Sequence, residues 1–194
     1  MKTVVYVAGK GRSGSTLLDR LLGGIDGWFS TGELWRLWDW GLEQGYRCGC
    51  GRCVRDCPTW RQILGVAFER LPDPSTMVRL RDQVLSWRSA PRLLRRAGGM
   101  RDTWPALEEY VDVQRRLYEA VAAVTESRVV VDSSKWPIEP AVLGLVPGVR
   151  VLVLHLVRDP RAVAHSWSRT KAYTDRPDVP MDRFGVFHSA TSWL

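Results

Sequence analysis

At 194 residues, with 45% hydrophobic and 25% charged side chains, the chain has the material for one folded domain with a proper core, which excludes a disordered tail. The formal charge is +7 and nearly all of the cations are arginine, which favours bidentate recognition of phosphate or sulfate over loose point-charge attraction. The arginines are interspersed with acids and no nucleic-acid-binding module is legible, so an anionic small-molecule ligand is expected and nucleic acid is not. No run approaches a membrane span, and the apolar run after Met1-Lys2-Thr3 is too short for the core of a signal peptide. The expectation is a cytoplasmic, reducing location, where four cysteines are thiols or metal ligands rather than a disulfide framework.

Val4-Val5-Tyr6-Val7-Ala8-Gly9 reads as a buried strand, Lys10 to Gly14 as a glycine-rich turn, and Ser15-Thr16-Leu17-Leu18 as the first turn of a helix. Glycines let backbone approach an anion closely, and the free N–H groups and positive dipole end of the helix start attract it. Gly9 and Gly14 fit the pattern G-x-x-x-x-G-K-[ST], but Ser15 occupies the lysine slot. A nucleotide triphosphatase uses that lysine, with a metal held by the next hydroxyl, to manage the β- and γ-phosphates. With the cation moved to Arg12, the loop suits a phosphoester without triphosphate and magnesium equipment.

The stretch Arg12-Ser13-Gly14-Ser15-Thr16-Leu17-Leu18 resembles the 5′-phosphosulfate loop of the sulfotransferases that use PAPS, 3′-phosphoadenosine 5′-phosphosulfate. The resemblance implies that Gly11, Arg12, Ser13, Gly14, Ser15 and Thr16 hold the nucleotide, that Arg12 stabilises charge on the leaving phosphate, and that no metal is required.

Further along, Leu17, Leu18, Leu21, Leu22 and Ile25 recur at helical spacing until Gly23-Gly24 and Asp26-Gly27 supply a stop. Trp28-Phe29-Ser30 reads as a short second strand, and Ser30-Thr31-Gly32-Glu33 as the opening of a tryptophan-rich helix with Trp35, Trp38 and Trp40. Ser30 and Glu33 have capping-box spacing, which would make Glu33 a helix cap. The resemblance supplies the other reading: in tyrosylprotein-type and related bacterial sulfotransferases a Gly-Glu pair about this far after the loop carries the base, and Gly32-Glu33 matches it. A neutral hydroxyl is a poor nucleophile until a positioned base removes its proton. Arg36, one turn later, either pairs with Glu33, contacts an acidic acceptor, or is a solvated surface arginine.

Cys48, Cys50, Cys53 and Cys57 fall in one cluster, C-x-C-x2-C-x3-C. Structural zinc sites usually join two well-separated C-x2-C or C-x2-H pairs, so the spacing favours reduced or redox-active thiols in a substrate-side loop, with zinc the alternative. Bacterial sulfotransferase-like proteins often carry a similar C-x-C-G … C-P-x-W insertion at this place, which Cys48 to Trp60 resembles.

From Ile63 to Thr125 the pattern is helical. Met77, Leu80, Val84, Leu85 and Trp87 form one apolar stripe, interrupted by Pro91, and Leu107, Tyr110, Val111, Gln114, Leu117, Tyr118, Val121 and Val124 form another. Thr103 and Pro105 open the second, and Gly98-Gly99 mark a turn. Arg128-Val129-Val130-Val131-Asp132 is a further buried strand whose tip, Ser133-Ser134-Lys135, lies where open α/β sheets bind ligands. The resemblance gives Lys135 the stabilisation of charge on the transferred group; otherwise it is a solvent-facing lysine.

A short helix near Ala141 to Val146 precedes a third strand, Val149 to Val157, apolar enough to be covered on both faces. Asp159 as N-cap and Pro160 at the first position open the next helix, with Arg158 at the strand end and Ser166 two turns on. An arginine at a strand end with a serine eight positions on is similar to the second sulfotransferase signature, which implies that Arg158 and Ser166 bind the 3′-phosphate. His155 and His165 read as structural. A polar stretch from Tyr173 to Asp182 leads into Phe184 to Leu194, which looks like the opening of another helix. Family members continue with that helix, another strand and a segment closing over the nucleotide, so the expectation is a C-terminally short member.

The reading is one α/β domain: a P-loop-type, mostly parallel sheet flanked by helices, with a helical cysteine-containing excursion over about residues 33–127. The expected reaction moves a sulfuryl group from PAPS to a hydroxyl or amine of a small-molecule, glycan or lipid acceptor. The alternatives are a nucleotide- or partner-binding module of the same fold without turnover, and a P-loop kinase or NTPase, which the serine at position 15 disfavours.

Overall fold

The structure, a computed structural model, describes residues 1–100, 102–170, 180–185 and 187–188. Among these residues four strands, β1 (Lys2–Gly9), β2 (Trp28–Ser30), β3 (Val129–Lys135) and β4 (Val149–Leu156), form one sheet in the order β2-β3-β1-β4 with every pairing parallel. β1 is central, paired with β3 on one side and β4 on the other, and Val4, Tyr6 and Val7 are completely buried. Successive strand residues point to opposite faces. Val4, Tyr6 and Val130 accordingly join the main core, while Val5, Val7 and Val131 are buried outside that cluster.

The helices are α1 (Ser15–Gly23), α2 (Pro58–Ala67), α3 (Pro74–Val84), α4 (Ala90–Ala97), α5 (Pro105–Val124), α6 (Glu139–Leu143) and α7 (Pro160–Ser168). All but α1 carry proline at the first or second position, where its fixed φ suits a helix and its missing N–H costs nothing. Helices α2 to α5 and the cysteine turn fill the connection between β2 and β3. Leu107, Tyr110, Leu117, Tyr118 and Val121 on α5, and Met77, Leu80 and Val84 on α3, are buried as their spacing requires, whereas Trp87 is exposed. No helix among the described residues is long and apolar enough to cross a membrane.

The chain leaves β1 towards β2 on one side and leaves β3 towards β4 on the other, so the carboxyl ends of β1 and β3 flank the point where strand order reverses. That crevice is where open α/β sheets take their ligands. The structure closes it from below with Gly9, whose φ of 143° places a hypothetical Cβ only 2.4 Å from the Leu156 carbonyl oxygen of the paired β4. Gly9→Ala is expected to cost about 2–4 kcal/mol in urea unfolding, because neither backbone can move without breaking the ladder.

Four expectations are corrected. The stripe Leu17, Leu21 and Ile25 on α1 is exposed, and the helix buries Ser15 and Asp19 instead. β4 is not covered on both faces: Leu152 and Val153 are exposed, because among the described residues β4 is the edge of the sheet. The tryptophan-rich stretch is not an α-helix opened by Ser30, but a tight 3-10 turn, Leu34–Arg36, followed by a π-helical segment, Leu37–Glu43. Thr103 does not cap α5; Trp104 precedes its first residue, Pro105. The polar stretch from Tyr173 to Asp182 and the helix expected from Phe184 onward lie mostly outside the described residues.

Candidate functional site

The loop after β1 is built from left-handed backbone: Gly9, Arg12 and Gly14 have φ of 143°, 72° and 100°. Ser13 N–H donates to the Lys10 carbonyl at 3.2 Å, and Leu17 and Leu18 N–H groups donate to the Gly14 carbonyl at 3.1 Å. Gly14 is the N-cap of α1 and has no side chain with which to cap it. The amides of Gly14, Ser15 and Thr16 precede the first intrahelical bond and form the positive end of the helix. The space beside Gly14 is open, with no atom within 4 Å of a hypothetical Cβ. Ser13 Oγ is buried without a hydrogen-bond partner among the described residues. Lys10, which sequence reasoning passed over, adds a partly desolvated ammonium whose pKa is lowered by that burial.

The β4–α7 connection closes on this loop. Arg158 Nη1 donates to the Arg12 carbonyl at 2.9 Å, and the Arg12 guanidinium lies over the Trp167 ring at 4.8 Å. Trp167 also covers Gly11, where a Cβ would come within 3.1 Å of the indole. Asp159 caps α7 as the sequence suggests, accepting from Arg161 N–H at 2.8 Å. Hydrogen bonds from the Arg161 side chain and backbone hold the Asp159 carboxyl down at about 2. Ser166 is buried on α7 and makes no hydrogen bond to Arg158 among the described residues. His155 and His165 are exposed.

Across β1, Lys135 pairs in register with Ala8 at the entrance to the loop. Its backbone is left-handed, φ 68°, and its ammonium donates to the Glu33 carboxylate and, at 2.9 Å, to the Ser133 carbonyl. The other Glu33 oxygen faces Arg36 Nε at 3.7 Å. Glu33 remains 37% exposed at its side chain, so a hydroxyl from outside can reach it. It accepts no capping role: the N–H of Gly32 bonds to Ser30 Oγ, and Ser30 donates to Asp19 at 2.5 Å.

The Glu33 segment is fixed by β3 rather than by helix capping. Thr31 N–H donates to the Val131 carbonyl at 2.9 Å and Ser133 N–H to the Gly32 carbonyl at 2.8 Å. Asp132, fully buried, accepts from Leu34 N–H at 3.4 Å, from Ser134 N–H at 2.8 Å and from Tyr118 OH at 2.6 Å. Ser134 Oγ accepts in turn from Trp35 N–H at 3.1 Å. Sequence reasoning missed Asp132 and Ser134 as positioning residues; the polar run at the tip of an apolar strand was the available signal. Asp19 on α1 sits close enough to feel both Lys135 and Glu33; burial raises its carboxyl pKa, against hydrogen bonds from Ser30 and Ser133. Beneath, Glu139 receives Tyr6 and Tyr110 hydroxyls, each at 3.2 Å, and burial with the nearby Asp132 pushes it up to about 8.

Arg36 is stacked between Trp35 and Trp40, at 4.2 and 3.5 Å from the ring centroids. Trp35 stacks on Trp136, 5.3 Å away, and both line a cavity of about 220 Å³ with Arg81, Asp82, Leu85 and Ser86. A larger groove of about 780 Å³ runs between α2 and α5 and contains none of the candidate residues. The structure thus gathers the Arg12 loop, Arg158 and Trp167 on one side of β1, and Glu33, Lys135 and Asp19 on the other. Cys48, Cys50 and Cys57 converge on one another, with Cys53 outside their group. No family model, no curated protein and no solved structure matches the chain.

Proposed function

We propose that the chain is a PAPS-dependent sulfotransferase with a P-loop-type sheet, acting on a hydroxyl or amine of a small-molecule, glycan or lipid acceptor. The observation that carries this reading is the placement of the Glu33–Lys135 pair beside the mouth of an uncapped, left-handed glycine loop, at the reversal point of a parallel sheet. The residues fit such a ligand: the loop opens beside Gly14, presents the first amides of α1, and holds a buried hydroxyl at Ser13 that has no partner among the described residues.

When bound, PAPS supplies an activated sulfuryl group on a phosphate leaving group. The amides of Gly14, Ser15 and Thr16, with Gly11, Ser13 and the Arg12 guanidinium, would bind its anionic 5′ end. A fixed set of donors of this kind lowers a barrier by several kcal/mol because it needs no reorganisation. Arg158 and Ser166 would bind the 3′-phosphate. Glu33 would take the acceptor's proton at a carboxylate oxygen, and Lys135, already beside it, would balance charge on the transferred group. Asp132 and Ser134 keep Glu33 and Lys135 in register.

Titration calorimetry with 3′,5′-ADP, 5′-AMP and ATP with magnesium tests the nucleotide site. Metal-independent preference for 3′,5′-ADP is expected, weakened about 10- to 100-fold in Arg158→Ala, as the loss of a charge-assisted contact predicts. Equal affinity for 5′-AMP, or a preference for ATP with magnesium, would sink this assignment.

A further inference from the structure

The cysteine turn carries an arrangement that its spacing conceals. The chain folds back between Tyr46 and Val54: Arg47 and Cys53 form an antiparallel bridge, Cys48 N–H donates to the Arg52 carbonyl at 2.7 Å, and Gly51 N–H donates to the Cys48 carbonyl at 2.8 Å. Gly51, with φ of 85°, makes the reversal possible. The hairpin brings Cys48 and Cys50 onto Cys57, which directly precedes α2 and is 1% exposed. Cys57 Sγ lies 3.6 Å from Cys48 Sγ and 3.7 Å from Cys50 Sγ, and all three sulfurs fall within 4.8 Å of one another.

Those separations discriminate between chemistries. A disulfide needs about 2.0 Å, so none is formed. Four ligands at a zinc–sulfur distance of about 2.3 Å, placed tetrahedrally, lie about 3.8 Å apart, which matches the closest pairs. The backbone N–H groups of Cys50 and Arg52 are directed at the sulfurs of Cys48 and Cys50, and Cys57 sits at the positive end of α2. Arg47 and Arg52 in the hairpin and Arg55 just after it give this stretch positive charge to set against the surplus negative charge that three thiolates would leave on a divalent ion.

We propose that Cys48, Cys50 and Cys57 form a zinc site with a fourth, solvent-side position next to exposed Cys50, and that Cys53 lies outside it. Binding displaces three thiol protons and involves no redox change. The site ties the hairpin to α2. Because Tyr46 stacks on Trp40 at 4.6 Å and donates its N–H to the Trp40 carbonyl at 2.9 Å, the ion also braces the segment that carries Arg36. The assignment is independent of the sulfotransferase reading, since none of the observations behind it involves the loop, Glu33 or Lys135.

The test uses the full chain, reduced and stripped by chelator, and cobalt(II) as the probe, with zinc content measured by mass spectrometry. One equivalent of cobalt is expected, with the thiolate charge-transfer and intense visible bands of a tetrahedral ion, displaced by zinc. Cys50→Ser, at an exposed position where folding is not at risk, is expected to weaken cobalt binding at least about tenfold and to remove part of the charge-transfer intensity. Cys53→Ser is expected to leave both unchanged. A folded wild-type chain that takes up no cobalt, a Cys50→Ser chain that binds like the wild type, or equal losses in Cys53→Ser and Cys50→Ser would each overturn the three-thiol assignment.

Discussion

If the chain is the proposed sulfotransferase, Glu33→Gln is expected to lower the rate of sulfuryl transfer by about 10²- to 10⁴-fold, the usual worth of a positioned general base, while 3′,5′-ADP binds at least as tightly as before. Glutamine has nearly the same shape and its amide oxygen can still accept from Lys135, so the local packing survives. It cannot take a proton, and that loss alone falls on the chemical step. Removing a negative charge from the entrance to the proposed anion site is not expected to hinder a nucleotide. The comparison is made in single-turnover transfer of radiolabelled sulfate from PAPS to the best acceptor from a panel of sugars, phenols and peptides, beside calorimetry with 3′,5′-ADP. A variant that transfers within about twofold of the wild type would remove Glu33 from the chemistry; a variant that fails to bind nucleotide would make it structural instead.

A second large effect belongs to the buried pair under the site. Glu139 is fully buried, and burial together with Asp132 raises its carboxyl from an ordinary 4.5 to about 8. The native state therefore holds a proton that the unfolded chain releases between about pH 4.5 and 8. Stability contributed by this group is complete below pH 4.5 and is lost as pH rises through 8. At about 1.4 kcal/mol per pH unit, the loss reaches about 4–5 kcal/mol by pH 9. Asp132, raised in the same direction by its own burial, adds to the trend. Glu139→Gln removes the titration while keeping an acceptor and a donor for the Tyr6 and Tyr110 hydroxyls. Urea unfolding from pH 5 to 9 is expected to show the wild type weakening steadily and the variant overtaking it at alkaline pH. Parallel curves would mean that Glu139 is ionised in the native state.

Much of the frame was legible because its signals are local. Runs of β-branched residues mark β1, β3 and β4, and Asp159-Pro160 marks the start of α7 through its own side chain and ring. Glu33 and Lys135, far apart in the chain, were singled out separately, and the structure makes them partners. What escaped depends on tertiary context. The tryptophan segment has helical spacing, but its backbone N–H groups are claimed by Asp132 and Ser134, which favours a 3-10 turn over a capped α-helix. Leu17 and Leu21 have the period of a buried stripe, yet α1 turns Asp19 inward to meet Ser30. The cysteine spacing discouraged a metal, because spacing does not record that a hairpin returns two sulfurs to the start of α2.

Among the described residues, three that are not glycine adopt a left-handed backbone, and two of them are Arg12 and Lys135. Glycine would occupy either position about 1 kcal/mol more comfortably. The chain thus gives up some folding stability at two of the cations around the loop, whereas Lys10 and Arg158 carry no such backbone strain. A search for tougher variants would drift toward glycine there and lose the charge, so resistance to heat and the positive charge at these positions are opposed.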